Sequence, residues 1–575
     1  MVAPTSVPHA AASASTGAAT GAATAHVDTF ARDRLPPPEA WPVFQFNDDT
    51  RYPARLNAAV ELVDRHVAEG RGQRVAVRHE RAGRIETVTY AQLAALVSRI
   101  AHVLVEDMKL VPGNRVLLRG PNNLMMAASW LATVKAGLIA VPTMPLLRAK
   151  ELRQIIDKAQ VTAALCDARL REELDANQRL GGEHYCPTLG AVRYFNGAGA
   201  DALEAAMDGK PDTFAACDTA TDDICLIAFT SGTTGQPKGT VHFHRDVLAM
   251  CDLFPRHVLK PTPDDVFCGT PPIAFTFGLG GMLCFPLRIG ASTALAEKLT
   301  PESLLKLIQD HRATVVFTAP TFYRQMATMA KQFDIGSLQK SVSAGEALPD
   351  ATRQAWKAAT GIEMTDGLGG TEMMHIFVSS AGADVRPGAV GRVVPGYEAR
   401  IVDDNMQPVP PGTVGKLAVR GPTGCRYLDD ARQEVYVRDG WNLPGDTFMA
   451  DEDGYYFYQA RSDDMIISAG YNIAGPEVEG TLMKHEFVAE CGVVGAADDE
   501  RGQVVTAYVV LRPGVEPGDA TRSTLQDYCK REIAPYKYPR RIEFVAALPR
   551  TETGKLQRFR LRQMANEPGA PGGQP

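Results

Sequence analysis

Hydrophobic positions in the first third of the chain alternate between two spacings. Stretches with helical periodicity lie at 57–69, 90–106 and 125–135, and short continuous apolar runs lie at 75–79, 115–118 and 140–142. Runs of the second kind are typical of buried strands. Helices that alternate with buried strands predict parallel strands covered by helices, and the same pattern returns at 224–253 and 304–318. The sequence therefore predicts a large α/β body.

The pattern changes after residue 395. Short apolar runs at 399–404, 415–420 and 454–458 are separated by Pro and Gly turns, which indicates a small β-rich subdomain. The last part of the chain has its own apolar runs at 488–495 and 504–511, and we expect it to form a separate small α+β domain. We assign 31–462 to the large N-terminal domain and 463–564 to the small C-terminal domain.

Both ends of the chain have a biased composition. The first 25 residues are mostly Ala, Ser, Thr, Gly and Pro, and the first Lys or Arg is Arg32, so they lack the basic start of a signal peptide. The last nine residues are rich in Pro and Gly. We predict a disordered extension over 1–30 and a disordered tail over 565–575.

Charge and composition exclude several classes of function. With 45% hydrophobic and 22% charged residues among 575, the composition is that of a globular protein, and the net charge of -7 provides no basic face for nucleic acid. The sequence has no apolar run of about eighteen residues, the length that would indicate a membrane span. Ten cysteines are scattered without a C-x-x-C pair, which favours reduced thiols in a cytoplasmic protein.

The ten residues after the apolar run at 224–229 carry the strongest chemical signal. They are Thr230, Ser231, Gly232, Thr233, Thr234, Gly235, Gln236, Pro237, Lys238 and Gly239. Glycines allow backbone N–H groups to approach an anion, and hydroxyls with a lysine add donors and positive charge, so the loop suits phosphate oxygens. The spacing does not fit the G-x-x-x-x-G-K-[ST] motif, and a flexible turn is the alternative interpretation.

The ordered string S-G-T-T-G-x-P-K-G in this loop resembles the signature of the AMP-forming acyl-adenylate superfamily, which includes acyl-CoA synthetases, adenylation domains and luciferases. Further motifs of the family follow in the same order, and the resemblance spans about residues 40–563. It implies a large N-terminal α/β body with parallel sheets and a β-rich subdomain, plus a small mobile C-terminal α+β domain. ATP, Mg²⁺ and coenzyme A are the implied cofactors.

A second motif ends in Thr371 and Glu372 and resembles the G-x-T-E element of the family. In that element Glu372 would hold Mg²⁺ and Thr371 would contact a phosphate, and Asp366 and Gly367 just before it would lie at the nucleotide. An adenylating site needs a cation because a carboxylate and ATP repel each other. A helix start capped by Thr371 is the alternative interpretation.

Other positions match the nucleotide contacts of the family. The segment 343–349 resembles the adenine-side loop, where small residues let the backbone approach a flat base, although an ordinary strand-to-helix turn has the same composition. Asp446 and Arg461 match contacts to ribose, while Pro444 stands where many relatives have Thr. Together with the loop and Thr371, the implied cofactor contacts are Gly345, Glu346, Asp366, Gly367, Asp446, Arg461 and Gly470, the last leaving room for the arm of CoA.

The resemblance implies that the small domain rotates between two half-reactions. Asp463 matches the hinge position in the pattern R-x-D-D. Lys555, in P-x-x-x-x-G-K, would bring its ammonium group to the charge that develops at the carboxylate and the α-phosphate. A solvated lysine in a mobile tail is the alternative. Lys555 also resembles a site of reversible acetylation, so a protein acetyltransferase is a predicted partner, and a homodimer is a predicted assembly.

The segment 272–281 is the expected wall of the acid pocket. Phe275 stands where many family members have His, which makes the wall apolar and puts a histidine role at the carboxylate in doubt. The strings F-T-F-G-L-G-G and M-x-H-I-F resemble 2-aminobenzoate–CoA and benzoate–CoA ligases, and plain core packing is the alternative for the Phe residues. An aromatic acid would pack against Phe277, and His375 would hydrogen-bond an ortho substituent. The implied substrate contacts are Phe275, Thr276, Phe277, Gly278, Ala344, Gly369, His375 and Ile376.

These features predict an ATP-dependent ligase that joins 2-aminobenzoate or benzoate to CoA through an acyl-AMP intermediate. Thr230, Lys238, Glu372 and Lys555 are the predicted catalytic residues, and nucleic acid and membranes are not expected partners. The enzyme alternatives are a ligase for another aryl or medium-chain acid and a stand-alone adenylation enzyme that loads a carrier protein. The alternative of another class is a non-catalytic sensor that binds AMP.

Overall fold

Two β-sheets form the frame of the large body in the computed structural model, which describes residues 22–81, 83–230, 237–461, 464–468, 471–498, 501–550 and 556–567. Six of the described strands form the first sheet, in the spatial order Ala191–Phe195, Ala163–Asp167, Arg115–Arg119, Ile139–Thr143, Ile224–Thr230 and Lys238–Phe243. Neighbours in this sheet are parallel except for the last pair, which is an antiparallel hairpin.

Nine of the described strands form the second sheet, in the order Arg392–Val393, Ile376–Ser380, Thr365–Gly369, Lys340–Ala344, Val315–Thr318, Val266–Gly269, Ser292–Leu295, Val75–Arg81 and Arg84–Thr89. The six strands from Thr365–Gly369 to Val75–Arg81 run parallel, and antiparallel strands close both edges. The alternation of helices and strands in the sequence predicted these parallel sheets, and the α/β fold class is confirmed.

Helices cover both sheets. The described α-helices are Phe30–Asp33, Arg65–Ala68, Tyr90–His102, Leu124–Lys135, Ala149–Ala159, Arg171–Gln178, Leu203–Met207, His244–Asp252, Thr276–Gly278, Phe285–Ile289, Pro301–His311, Pro320–Met329, Asp350–Thr360, Gln433–Tyr436, Gly475–Leu482, Asp519–Glu532 and Arg558–Asn566. The described 3₁₀ turns are Pro38–Ala40, Ala168–Leu170, Ala330–Gln332, Thr371–Met373, Gly382–Asp384 and Pro535–Lys537, and the described π-helical segments are Val60–Asp64, Val103–Asp107, Pro255–Leu259 and Leu279–Cys284.

Side-chain caps fix where the central helices begin. Thr89 and Gln92 form a capping box at the start of Tyr90–His102, and the Asn123 side chain accepts the Met126 N–H at the start of Leu124–Lys135. The second of these helices is apolar on nearly every side and lies in the largest core, which combines side chains of both sheets. Burial on all faces explains its uniform apolar sequence.

A third sheet forms the β-rich subdomain, as the sequence predicted. Its described strands are Glu398–Val402, Val414–Arg420, Val437–Arg438, Trp441–Asn442, Asp446–Ala450 and Tyr456–Arg461, and all their pairings are antiparallel. The predicted strand at 454–458 begins two residues later than expected, because Gly454 adopts a positive φ of 78° in a turn.

The C-terminal part has a sheet and a core of its own. Its described strands are Ile466–Ser468, Tyr471–Ile473, Val488–Asp498, Gly502–Leu511 and Arg541–Phe544. Apolar side chains of this sheet pack with helices Gly475–Leu482 and Asp519–Glu532 in a cluster separate from the cores of the large body. The predicted hinge residue Asp463 lies outside the described residues.

The predicted extension over 1–30 is wrong for its last nine residues, which are folded onto the large body. The buried Asp223 carboxylate accepts hydrogen bonds from the Thr24 hydroxyl, from the Ala25 N–H at 2.9 Å and from Arg32 at 2.9 Å. The Val27 N–H donates to the Pro112 carbonyl at 2.9 Å. A buried carboxylate needs such partners, and composition alone did not reveal them.

The predicted start of the C-terminal tail at 565 is also wrong by two residues. Helix Arg558–Asn566 continues past it because Ala565 is buried and the Asn566 side chain accepts the Ala497 N–H at 2.7 Å. All ten cysteines lie in the described part of the chain, and all are free thiols. Within that part, no helix combines the length and the apolar content that crossing a membrane requires.

Candidate functional site

A hairpin places two of the predicted catalytic residues opposite each other. Strands Ile224–Thr230 and Lys238–Phe243 are antiparallel, and Thr230 pairs with Lys238 at the end of the hairpin. The continuous apolar run before Thr230 forms a strand because the sheet is covered on both faces. The loop residues Ser231, Gly232, Thr233, Thr234 and Gly235 lie outside the described residues.

Tyr427 connects the lysine of this hairpin to the predicted metal ligand. The Lys238 ammonium donates to the Tyr427 hydroxyl at 2.9 Å, and that hydroxyl donates to Glu372 Oε1 at 2.6 Å. Lys238 Nζ and Glu372 Oε1 are 3.7 Å apart. Burial and the nearby Glu372 charge raise the pKa of Tyr427, so its hydroxyl stays protonated and keeps donating.

The backbone around Glu372 is held from the side of the hairpin. Thr371–Met373 is a single 3₁₀ turn without a side-chain cap, so the alternative of a helix capped by Thr371 is wrong. The His242 Nε2 donates to the Thr371 carbonyl oxygen at 2.8 Å. Met374 adopts a positive φ of 71°, a conformation that costs a non-glycine residue energy and is common at functional sites.

The Glu372 carboxylate fits a divalent cation that is shared with phosphates. Its Oε1 accepts from Tyr427, whereas among the described residues no donor is hydrogen-bonded to Oε2. The described chain contains no group of three or more His, Cys, Asp and Glu placed to hold a metal ion. Mg²⁺ commonly binds through one or two carboxylates plus substrate phosphates and water, and Glu372 offers such a ligand.

Arg426, the residue before Tyr427, forms a buried ion pair. Arg426 is fully buried and pairs with Asp246, and its guanidinium lies 4.0 Å from the centre of the Phe243 ring. His242 Nδ1 lies 3.6 Å from the same Asp246 carboxylate. A buried pair of this kind is costly to break, so these side chains hold the backbone of residue 427 in place.

Aromatic side chains surround His375, three residues after Glu372. Its ring centre lies 5.6 Å from that of Phe277, 4.5 Å from that of Phe285 and 5.8 Å from that of Phe254. Phe277 also contacts Phe317, with ring centres 5.7 Å apart. These five side chains (Phe254, Phe277, Phe285, Phe317 and His375) are the aromatic cluster, and spacings of this size are typical of favourable ring pairs.

His375 is a neutral acceptor within the aromatic cluster. Its Nε2 lies 3.3 Å from the Phe277 carbonyl oxygen and therefore donates to it. Burial lowers the pKa of the imidazole to about 3, so the ring is uncharged at neutral pH and Nδ1 keeps a lone pair. This Nδ1 is buried without a hydrogen-bond partner among the described residues. An unpaired buried acceptor is costly unless a ligand satisfies it.

Glycines bring the predicted pocket wall close to the cluster. A Cβ atom at Gly280 would lie 2.5 Å from His375 Cδ2, and one at Gly281 would lie 2.7 Å from the Phe317 ring. A Cβ atom at Gly278 would overlap the Pro272 carbonyl oxygen, and one at Gly367 would overlap the side chain of Ile376. The predicted wall and the M-x-H-I-F segment are therefore in direct contact.

The remaining predicted residues of the large domain lie at or near this sheet edge. Ala344 pairs with Gly367, and Ser343 pairs with Asp366, whose pKa burial raises to about 7. Gly345 follows with a positive φ of 88°, and Glu346 continues the turn. Thr276 is buried at the start of its short helix, and Gly369 is exposed and pairs with Ile376. Phe275, in contrast, forms no ring pair with any described residue.

Two predicted ribose contacts lie on paired strands, and three other predicted residues are not described. Asp446 and Arg461 are paired residues on adjacent strands. Asp463, Gly470 and Lys555 lie outside the described residues. Sequence reasoning missed Tyr427, which lies 189 residues from Lys238 along the chain. The segment after strand Val414–Arg420, in which Tyr427 is the first aromatic residue, carries no motif that could have indicated it.

Comparisons with known proteins show the family of this chain. Residues 64–426 match the family described as AMP-binding enzyme, and residues 477–555 match the AMP-binding enzyme C-terminal domain. Benzoate–CoA ligase of Thauera aromatica is 35% identical over 519 residues, which are 89% of this chain and 97% of that protein. The 3-hydroxybenzoate–CoA ligase of Aromatoleum sp. (strain CIB) is 33% identical over 520 residues, 88% of this chain and 97% of the relative.

A solved structure extends the match to three dimensions. The anthranilate CoA ligase AuaEII in complex with anthranoyl-AMP superposes with a TM-score of 0.84 at 32% sequence identity, covering 90% of this chain and 99% of that one. Coverage of both matched domains confirms the predicted superfamily, its fold and the use of an acid, ATP and CoA as substrates. The chain therefore belongs to the AMP-binding enzyme family and is an AMP-forming acid–CoA ligase of the acyl-adenylate superfamily.

Proposed function

We propose that the enzyme activates an aromatic carboxylate, 2-aminobenzoate or benzoate, and transfers it to CoA. An oxygen of the carboxylate attacks the α-phosphorus of ATP, and the bond to the pyrophosphate leaving group breaks. The CoA sulfur, which loses its proton, then attacks the acyl carbon of the acyl-AMP, and AMP leaves with the bonding electrons. The products are aroyl-CoA, AMP and pyrophosphate.

The observation that carries this proposal is the short distance along the chain between Glu372 and the aromatic cluster. A segment of four residues joins the group formed by Lys238, Tyr427 and Glu372 to His375. An aromatic ring held against Phe277 would have its carboxylate directed toward the phosphate end. The relatives named above, which carry the names of benzoate, 3-hydroxybenzoate and anthranilate ligases, support an aromatic acid.

His375 favours an acid with a donor on its ring. The lone pair on Nδ1 would accept an N–H from the amino group of 2-aminobenzoate, whereas benzoate would leave the acceptor unpaired. Phe275, Thr276, Gly278, Ala344, Gly369 and Ile376 are the further residues proposed to line the acid pocket.

The phosphate end is proposed to work through charge and hydrogen bonds. Thr230 and Lys238, with Ser231 and Thr233 of the loop, would hold the phosphates, and Glu372 would hold Mg²⁺ with Oε2, which accepts from no described donor. A bound Mg²⁺ would neutralise phosphate charge, which reduces the repulsion of the incoming carboxylate. Lys555 would stabilise the charge that develops in the first step, after rotation of the small domain about Asp463.

Acetylation of Lys555 and dimerisation stay predictions. Acetylation of Lys555 by a protein acetyltransferase would remove its charge and stop adenylation, and full adenylation activity of the acetylated enzyme would contradict this role. A homodimer is also predicted, and the mass of the enzyme in solution tests it.

Pyrophosphate release with a panel of acids tests the proposed substrate. The panel contains benzoate, 2-, 3- and 4-aminobenzoate, the matching hydroxybenzoates, phenylacetate and fatty acids. We expect the highest kcat/KM with 2-aminobenzoate or benzoate, and in His375→Ala a loss of about tenfold in the preference for 2-aminobenzoate over benzoate. An unchanged ratio in His375→Ala contradicts the role of Nδ1, and a highest value with a fatty acid contradicts the aromatic pocket. Absence of pyrophosphate release with every acid would favour an AMP sensor.

A further inference from the structure

A three-residue ion cluster joins the small domain to the large body. Arg324, in helix Pro320–Met329 of the large body, donates to Glu490 Oε1 at 2.7 Å, and Arg550 of the small domain donates to Glu490 Oε2 at 3.0 Å. Arg324 also donates to the carbonyl oxygen of Ala489 at 3.4 Å. The two oxygens of the Glu490 carboxylate therefore bind two guanidinium groups, one from the large body and one from the small domain. We call Arg324, Glu490 and Arg550 the Glu490 clasp.

The Glu490 clasp is partly shielded from water. The exposed fractions of its side chains are 28% for Arg324, 28% for Glu490 and 30% for Arg550. Burial opposes ionisation of Glu490, but the hydrogen bonds and charges of the two arginines outweigh it and lower the pKa of the carboxyl. Pairs with this exposure have modest energies, so the clasp can open and close reversibly.

The clasp borders the segment that contains Lys555. Arg550 forms a β-bridge with Leu556, and the Gln557 N–H donates to the Pro549 carbonyl at 2.9 Å. The chain therefore leaves the clasp at Arg550 and returns beside the Arg550 backbone at Leu556, the residue that follows Lys555 in the sequence.

The helix that carries Arg324 begins just after a strand that contributes to the aromatic cluster. It follows strand Val315–Thr318, and Phe317 in that strand is a member of the aromatic cluster. Arg324 lies six residues after the end of the strand. The clasp thus connects Arg550, which is bridged to the residue after Lys555, to a helix that begins just after the strand of Phe317.

We propose that the Glu490 clasp stabilises the domain orientation that serves adenylation, and that it opens before the CoA half-reaction. Glu490 is a positioning residue in this scheme, since it acts through the orientation of the domain and touches no substrate. The proposal rests on the proposed role of Lys555 in adenylation. An ion pair that forms in one domain orientation and is broken in the other stabilises the first orientation relative to the second by the free energy of the pair.

The test measures the two half-reactions separately in Glu490→Gln, which keeps the size of the side chain and removes its charge. Acyl-AMP formation is followed by pyrophosphate release in a single turnover without CoA, and the second step by CoA-ester formation from synthetic acyl-AMP. We expect adenylation to fall about threefold to tenfold, while the CoA step is unchanged or faster. Glu516→Gln, an exposed acid of the same domain, is the matched control and should change neither rate.

Arg324→Gln provides an independent variant on the large body. It should lower adenylation as Glu490→Gln does, and the double variant should lose less than the product of the two single losses, because both remove the same contact. The rates of the two half-reactions are measured on one sample and compared as a ratio. An unfolded fraction lowers both rates by the same factor and leaves the ratio unchanged. Equal losses in both half-reactions, or an unchanged ratio, overturn the proposal.

Salt provides a second readout, since a partly exposed ion pair weakens as ionic strength rises. The ratio of adenylation to the CoA step should fall with added salt more steeply in the wild type than in Glu490→Gln, and parallel curves overturn the proposal. The role of Lys555 in the proposed function is tested by a separate variant. Intact adenylation in Lys555→Ala rejects that role, whatever result the Glu490 variants give.

Discussion

Tyr427 shows how one neutral hydroxyl organises two charged side chains. It accepts from Lys238 and donates to Glu372, so the lysine and the carboxylate stay 3.7 Å apart. The two charges form an ion pair at this distance, and closer pairing would occupy the carboxylate and reduce the charge that Lys238 offers to a phosphate. The hydroxyl is therefore hydrogen-bonded to both groups and keeps them from closer contact.

Tyr427→Phe should lower kcat/KM for pyrophosphate release by about tenfold. The substitution removes the hydroxyl that is hydrogen-bonded to the charged groups of Lys238 and Glu372, and nothing replaces those two bonds. The concentration of Mg²⁺ needed for half-maximal rate should rise, since Glu372 can then turn toward Lys238. Steady-state assays at several Mg²⁺ concentrations measure both effects. Tyr185→Phe, a partly buried tyrosine outside the site, is the control. An unaltered Mg²⁺ requirement would contradict the organising role of the hydroxyl.

The sequence indicated the residues of this site that lie in ordered motifs. Thr230 and Lys238 face each other because they flank one loop, and Glu372 and His375 lie close together because they share one short segment. Tyr427 has no such marker, because its role depends on a contact between distant parts of the chain. Its neighbour Arg426 appears in sequence as an ordinary surface charge, whereas it is buried against Asp246.

At the scale of elements, the predicted wall of the acid pocket is a short helix that continues as a π-helical segment. Thr276–Gly278 leads directly into Leu279–Cys284, and π-helical turns are frequent at functional sites. Gly280 and Gly281 let this wall approach His375 and Phe317. The apolar string predicted a wall, but neither its π-helical form nor that of Val60–Asp64 follows from hydrophobic spacing, because the two helix types differ by a fraction of a residue per turn.

Gly280→Ala should push the His375 ring out of place, because the added methyl carbon would lie 2.5 Å from Cδ2. We expect KM for the aromatic acid to rise about tenfold or more while KM for ATP changes little. The matched control is Gly480→Ala, a helical glycine whose Cβ would meet nothing within 4 Å. That change should leave kinetics unaltered and preserve or raise the melting temperature. Equal kinetic effects of the two substitutions would reject the contact as the cause.

At the scale of the whole molecule, the large body and the small domain have separate cores and meet through polar contacts such as the Glu490 clasp. Alternating apolar runs predicted both bodies, since each run reports burial within its own sheet. The contacts between the bodies could not be predicted, because ion pairs such as that of Arg324 with Glu490 join residues with no common motif.

Lys555→Ala should separate the two half-reactions. Adenylation should fall by about 100- to 1,000-fold, the range expected for loss of one group that stabilises developing charge. Conversion of synthetic acyl-AMP and CoA should persist, because the proposed role of this ammonium group is limited to adenylation. Lys484→Ala, an exposed lysine of the same domain, is the control. Loss of both half-reactions in Lys555→Ala would contradict domain rotation as the reason for the effect.

The contacts of Asp223 with residues 24–32 set a limit for protein engineering. A shortened chain that starts after Arg32 would keep a buried carboxylate and lose the cation and two of the donors that neutralise it. The same carboxylate accepts the Ala220 N–H at 2.8 Å, just before the strand that leads to the phosphate loop. Purification tags and fusion partners therefore belong ahead of residue 22, where they leave this anchor intact.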